Sequence, residues 1–275
     1  MGNLKHFEVI LALISLLILF FVNKPIGFIL LTAALIISIY NNSYIFKLTK
    51  ANKLYNMKDY ENSLTLYREL MSSKRVLPGG VINNYLIMEL KYGEPEKADQ
   101  FAAKLKYGSN FKSHDILSTN VTKSLIAWKC NRKDEAINNL KEYLKNGQNT
   151  YIYETLTSLL ISAGEYNEAL EIINEGLDYT DTSTVLKSNL AEAQYLLGFI
   201  NDAEELFAEL INSNVSFLEP YYYYGLILRK KGNLQEAADV LNKGLAYHDS
   251  LVSLISKAKI QEILDNINDT LAVPK

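Results

Sequence analysis

Gly164-Glu165-Tyr166-Asn167-Glu168-Ala169, Gly198-Phe199-Ile200-Asn201-Asp202-Ala203 and Gly232-Asn233-Leu234-Gln235-Glu236-Ala237 are three versions of one hexad, set at a constant interval along the chain. A fixed period of about 34 residues means one supersecondary unit copied in tandem, and such units make binding surfaces more often than catalytic pockets. The hexad returns upstream with more drift, as Lys58 to Ser63 (KDYENS), Gly93 to Ala98 (GEPEKA) and Asn131 to Ala136 (NRKDEA). Taken as the turn between two helices, the six copies define units at 44–78, 79–116, 117–149, 150–183, 184–217 and 218–251.

The last residue of each hexad starts the inner face of the second helix, where only a small side chain lets two helix backbones approach. Ser63, Ala98, Ala136, Ala169, Ala203 and Ala237 hold that place in register. Four places on, the large residue is Tyr67, Leu140, Ile173, Phe207 or Leu241, with Ala102 the exception. The pattern over 44–251 resembles the tetratricopeptide repeat, a helix-turn-helix of about 34 residues. The departures are specific. The small residue in the middle of the first helix is Ala51, Ser124, Ala191 or Gly225 in four units, but Leu86 and Thr157 in the others, and the proline that commonly closes a unit is missing from all six.

After the last unit, Leu251, Leu254, Ile255, Ala258, Ile263, Leu264 and Ile267 keep a helical spacing, with Lys257, Lys259, Glu262 and Asp265 opposite. Residues 252–275 are therefore expected to hold a capping helix and tail, since an open solenoid must cover its last apolar face.

Before the first unit, the chain is almost wholly apolar between Phe7 and Tyr40, broken at Asn23-Lys24-Pro25. The halves, about 7–22 and 26–40, are each near the minimum length for a helix spanning a hydrocarbon layer of roughly 30 Å. Asn23 suits a cap and Pro25 the first helical turn. The leading expectation is a transmembrane helical hairpin within a membrane anchor at 1–43. Lys5 precedes it and Lys47, Lys50, Lys53 and Lys58 follow it, so both ends would face the cytoplasm. A cleaved signal peptide and a re-entrant or bent insertion stay open as alternatives. The fold class expected is all-α: the hairpin, then a solenoid of about six repeats, then the capping helix.

The chain offers little chemistry. Its net charge of −3 lacks the basic footprint of a nucleic-acid binder, so no nucleic acid is expected as a partner. The single cysteine, Cys130, excludes an intrachain disulfide. His6, His114 and His248 lie far apart, and none has a metal-ligand spacing with another histidine or with Cys130. There is no phosphate-binding glycine loop, no Gly-x-Ser-x-Gly elbow and no His-Glu-x-x-His helix. The reading is of a protein that is no enzyme and uses no cofactor, metal or small-molecule substrate.

The resemblance implies that the first helices line a concave groove for a protein or peptide partner. Carried over by register, the groove would present Asn52 and Tyr55, then Asn83, Asn84 and Lys91, then Thr122 and Trp128. Later units would add Tyr151, Glu154 and Ser158, then Asn189, Glu192 and Tyr195, then Tyr222, Tyr223, Arg229 and Lys230. Of the four consecutive tyrosines, Tyr221 and Tyr224 are expected to pack toward the repeat core and Tyr222 and Tyr223 toward the groove. One subset of the family grips a free carboxylate with lysine, arginine and asparagine. Asn52 and Asn84 match its asparagines, but Leu48, Ser118 and Thr122 stand where its cations belong, which leaves a carboxylate too little charge to offset its lost hydration.

Two functions follow as expectations. One is a scaffold or adaptor at the cell membrane, held by the bilayer through residues 7–40, with its groove binding a peptide or helix in the cytoplasm. The other is a structural or assembly component of an envelope complex whose membrane helices themselves meet partners.

Overall fold

The computed structural model describes residues 2–21, 23–73, 75–247, 250–253 and 255–272; Val22, His248 and Leu254, which enter the sequence reading, lie outside them. Among the described residues the chain forms fifteen helices and no strand. It divides into two compact units, Met1–Cys130 and Asn131–Lys275, and the division falls in the turn of the third repeat.

The first unit holds α1 (Gly2–Phe21), α2 (Lys24–Asn42), α3 (Tyr44–Asn56), α4 (Tyr60–Ser72), α5 (Gly79–Tyr92), α6 (Pro95–Lys104) and α7 (Ser113–Lys129). Asn23 caps α2 by accepting from the Ile26 amide at 3.2 Å, and Pro25 sits in its first turn. α1 packs along α2, and Gly27 meets the Leu19 backbone so closely that a Cβ there would lie 2.3 Å from Leu19 Cα. Among the described residues one helical run, Lys24–Asn56, is long and apolar enough to cross a membrane, with a mean hydropathy of 1.6 and only 12% of its most apolar stretch buried. The other apolar segment, Val9–Leu19, is shorter. The expectation of two crossings thus meets one segment of sufficient length. The outward faces stay apolar, with Leu17 58% and Ile29 66% exposed.

The second unit holds α8 (Lys133–Asn146), α9 (Thr150–Ala163), α10 (Tyr166–Tyr179), α11 (Thr184–Leu197), α12 (Ile200–Asn212), α13 (Glu219–Lys230), α14 (Leu234–Gly244) and α15 (Lys257–Ala272). Helices pack in sequential pairs: α3 with α4 in the first unit, then α9 with α10, α11 with α12, and α13 with α14 in the second. Each pair also stacks on the next within its unit, as α9 does on α11 and α11 on α13.

The register explains the pairing. Ser63, Ala98, Ala136, Ala169, Ala203 and Ala237 are all fully buried, at 0% exposure. The hydroxyl of Ser63 satisfies itself on the Ala51 carbonyl at 2.9 Å. The turn position that opens each hexad is left-handed in five of six copies: φ is 87° at Gly164, 93° at Gly198 and 85° at Gly232, but also 63° at Lys58 and 61° at Asn131. The left-handed residue ends one helix and redirects the chain into its partner. Gly93 is the exception at φ −128°, followed by Pro95 at the start of α6. There the absence of a side chain serves packing, because a Cβ would lie 2.2 Å from Glu89 Oε2.

At the carboxyl end Ile260, Ile263, Leu264 and Ile267 of α15 join the core of the last repeats with Tyr221, Phe207 and Leu241. The helix begins at Lys257, later than the apolar spacing from Leu251 indicates, and residues 250–253 are irregular.

Candidate functional site

First helices of several repeats carry polar residues toward a recess, as Asn52 and Asn84 do in the first unit and Asn189 and Glu192 in the second. In the first unit, α3 and α5 with Tyr67 of α4 enclose a recess of ≈ 240 Å³ lined by Asn52, Tyr55, Tyr67, Asn84, Ile87, Met88 and Lys91. Tyr67 Oη donates to Asn52 Oδ1 at 3.0 Å, and burial pushes its phenol up, against a hydrogen bond with Asn84 that lowers it. Asn52 and Asn84 are exposed and Tyr55 is 38% exposed. Two amides, two phenols and an ammonium over an Ile87–Met88 floor can donate to and accept from an extended peptide backbone while seating one apolar side chain. Beside the recess, Tyr60 and Tyr92 stack at 3.9 Å, with Tyr55 edge-on to both.

In the second unit, a cavity of ≈ 170 Å³ is lined by Ser158 and Ser162 of α9, Val185, Ser188, Asn189 and Glu192 of α11, Phe217 and Glu219, and Ser250, Val252 and Ser253. Its wall is a hydrogen-bonded lattice between first helices. Asn189 Nδ2 donates to Thr157 Oγ1 at 2.8 Å and to Ser158 Oγ at 3.0 Å, and Ser183 Oγ donates to Glu154 Oε1 at 2.6 Å. Tyr223 Oη donates to Glu192 Oε1 at 2.8 Å. Burial pushes the Glu192 carboxyl up to about 7, opposed by the bond from Tyr223 and reinforced by Glu219. The Tyr223 phenol is pushed up as well, by burial and then by Glu192.

The residues expected to face a partner therefore divide, and two of them, Asn83 and Thr122, are buried at 9% and 0% exposure. Asn52, Tyr55 and Asn84 meet in the first recess, and Asn189 and Glu192 meet in the second. Glu154 holds Ser183 beside it, and Tyr195 lies 5.0 Å from the Tyr223 ring. Trp128 is half-buried near the end of α7; Tyr151 and Arg229 are exposed at opposite ends of their helices; none of the three lines either recess.

The tyrosine run requires a correction. Tyr222 and Tyr223 are each 5% exposed and belong to the core of the last repeats, whereas Tyr224, expected inside, is only half-buried. Tyr223 does aim at α11, but its ring is closed in by Phe207 and Tyr195, and the Lys259 ammonium of α15 lies over the Tyr222 ring at 5.4 Å. The helix face is assignable from sequence; what covers that face comes from elements distant in the chain. Tyr221 lies in the core as expected, with its hydroxyl on the Val215 carbonyl at 2.9 Å. Sequence reasoning misses Ser162, Val185 and Ser188 altogether. The repeat signals two of them, since Val185 and Ser188 hold, one period later, the places of Tyr151 and Glu154.

Among the described residues, no three His, Cys, Asp or Glu side chains gather where they could hold a metal ion.

The chain is similar to several known proteins. A tetratricopeptide repeat protein from Parabacteroides merdae superposes with a TM-score of 0.63 at 14% identity, over 95% of this chain and 98% of that one. MamA from Desulfovibrio magneticus aligns over 61% of this chain and 93% of its own, with a TM-score of 0.45 at 13% identity. A human protein, the O-mannosyl-transferase TMTC1, is 27% identical over 105 residues, which are 38% of this chain and 12% of the length of that relative. No protein-family profile matches the chain. The chain has the tetratricopeptide repeat fold.

Proposed function

We propose that this protein is a membrane-tethered interaction scaffold whose first-helix faces hold an extended peptide or helix of a partner protein. The observation that carries the reading is the first recess. Asn52, Tyr55, Asn84 and Lys91, drawn from two successive repeats, converge on one exposed concavity with amide, phenol and ammonium groups around an apolar floor. Groups of this kind, on helices fixed by buried packing, bind without the catalytic constellation that an enzyme needs. A protein that presents rigid helices also loses little conformational freedom on binding, which favours affinity.

The mooring is the apolar surface of α1 and α2, which lipid would cover, with the repeats on the cytoplasmic side where Lys47, Lys50 and Lys53 follow the anchor. Full-length protein should float with phospholipid vesicles and resist carbonate extraction. Protease added to intact cells should spare the repeats, and protease added to inside-out vesicles should cut them. Release by carbonate, or cleavage in intact cells, would remove the tether or reverse its topology.

A further inference from the structure

The inner face of the second unit is already occupied by the chain itself. Between Gly244 at the end of α14 and Lys257 at the start of α15 lie residues 245–256, whereas α10 and α11 are joined by residues 180–183 alone. A connection of a few residues is usual between neighbouring helices, so covering the last repeat does not call for the longer path. The described part of that path runs over α9 and α11. Ser162 Oγ, in the last turn of α9, donates to the Val252 carbonyl at 2.8 Å, a bond that joins residues 90 apart in sequence. Ser250, Val252 and Ser253 close the cavity whose other walls are Ser158, Ser188, Asn189 and Glu192.

The segment has the features of a bound peptide. Two serine turns shape it: the Val252 amide donates to Ser250 Oγ at 3.3 Å, and the Ile255 amide to Ser253 Oγ at 3.2 Å. Ile255 is 3% exposed in the core of the last repeats, so one aliphatic side chain anchors the segment. At its base Lys257 Nζ donates to the Leu245 carbonyl at 2.8 Å. Its fit over α9 and α11 is loose, since the ≈ 170 Å³ cavity remains beneath it.

We propose that residues 250–253, anchored through Ile255, are a built-in occupant of the peptide site on the second unit, and that this site takes an uncharged segment of mixed hydroxyl and branched aliphatic residues that displaces them. The proposal rests on the scaffold reading above and adds the site, the ligand chemistry and the competitor. The chemistry follows from the walls. The hydroxyls of Ser158 and Ser162 and the amide of Asn189 suit main-chain and hydroxyl groups, while Glu219 repels an acidic peptide. Because the occupant is tethered, its local concentration is high, and an outside peptide sees its affinity divided by the fraction of molecules whose site is open.

The test uses the full chain in detergent micelles and a fluorescent peptide with the sequence of residues 247–257. Replacing residues 250–255 by glycine and serine at constant length should tighten binding of the peptide, read by anisotropy, by on the order of tenfold or more, the factor set by the closed fraction in the unaltered chain. Adding Ser162→Ala to that variant should weaken binding again. Equal affinity with and without the native segment, or no binding to a replaced chain that keeps its helical circular dichroism, overturns the proposal. Should the replaced chain not fold, deuterium uptake decides. Saturating peptide added to the unaltered chain should raise uptake at 250–253, and unchanged uptake overturns the proposal. A partner found in the first recess would leave the scaffold reading intact under either negative result.

Discussion

Tyr223 Oη donates to Glu192 Oε1 at 2.8 Å across 31 residues, and Asn189 Nδ2 donates to Ser158 Oγ at 3.0 Å across the same 31. The two donors hold the same place in successive repeats, and each reaches back to the same place in the repeat before. Pairwise packing brings that donor and that acceptor to the junction of consecutive first helices, where an unpaired polar group would be costly and a paired one fixes the register of the stack.

The Glu192–Tyr223 pair makes stability depend on pH. The carboxyl titrates near 7 in the folded chain against an ordinary value of 4.5. Below 4.5 both states are protonated and burial carries no penalty; between 4.5 and 7 the folded state holds the extra proton, so stability falls as pH rises and the penalty is complete above 7. The difference corresponds to roughly 3 kcal/mol. Melting followed by circular dichroism should show the unaltered chain losing stability from about pH 5 to about pH 8 relative to Glu192→Gln, whose amide can still accept from Tyr223.

Glu89 behaves in the opposite way. Its carboxylate, with a side chain fully removed from solvent, accepts from Arg68 Nε at 2.7 Å and Arg68 Nη2 at 2.8 Å. Burial acts to raise it, but the Arg68 bonds and the Glu94 amide prevail and hold it below the ordinary value. Its stabilisation is complete above the unfolded carboxylate value and is lost as pH falls through the folded one. Arg68→Leu should cost about 3–5 kcal/mol in urea unfolding by stranding the charge, and Arg68→Leu with Glu89→Leu should recover much of that loss.

The alanine register predicts an overpacking defect. Ala203 is 0% exposed where α11 meets α12, and Ala203→Leu should destabilise by about 1–3 kcal/mol, read as a lower urea midpoint. Glu171→Leu, at an exposed position of α10, should leave the midpoint nearly unchanged.

Lys58 pays for a left-handed backbone that three of its repeat-mates give to glycine. With φ at 63°, Lys58→Gly should relieve about 1–2 kcal/mol of left-handed backbone cost against about 0.4–1 kcal/mol of added unfolded-chain entropy, and a thermal melt should show a small rise in the melting temperature.

The repeat architecture is legible because it is written locally. The hexads set one turn per repeat, and the six small side chains at 0% exposure lie where the register puts them. Asn52 and Asn84 are legible for the same reason, since consecutive first helices bring together positions that lie about one helical turn short of a full period apart. Tyr222 and Tyr223 are not, because helical spacing gives a direction and not a cover. Lys259 of α15 and Tyr195 of α11, which shield them, belong to other helices and enter only once the chain has folded. Residues 250–253 are hidden by an apolar spacing that continues smoothly into α15, although Ser250, Ser253 and Ser256 favour turns over helix interior.

The central claim, that partners bind on first-helix faces, is tested most directly by site-specific photocrosslinking in living cells. A benzophenone side chain at Asn52 or Tyr55 on the first recess should yield one discrete adduct with another protein, and the same group at Glu171 or Glu175, exposed on the second helix α10, should yield none. Adducts from Glu171 and Glu175 with none from Asn52 or Tyr55 would contradict the account.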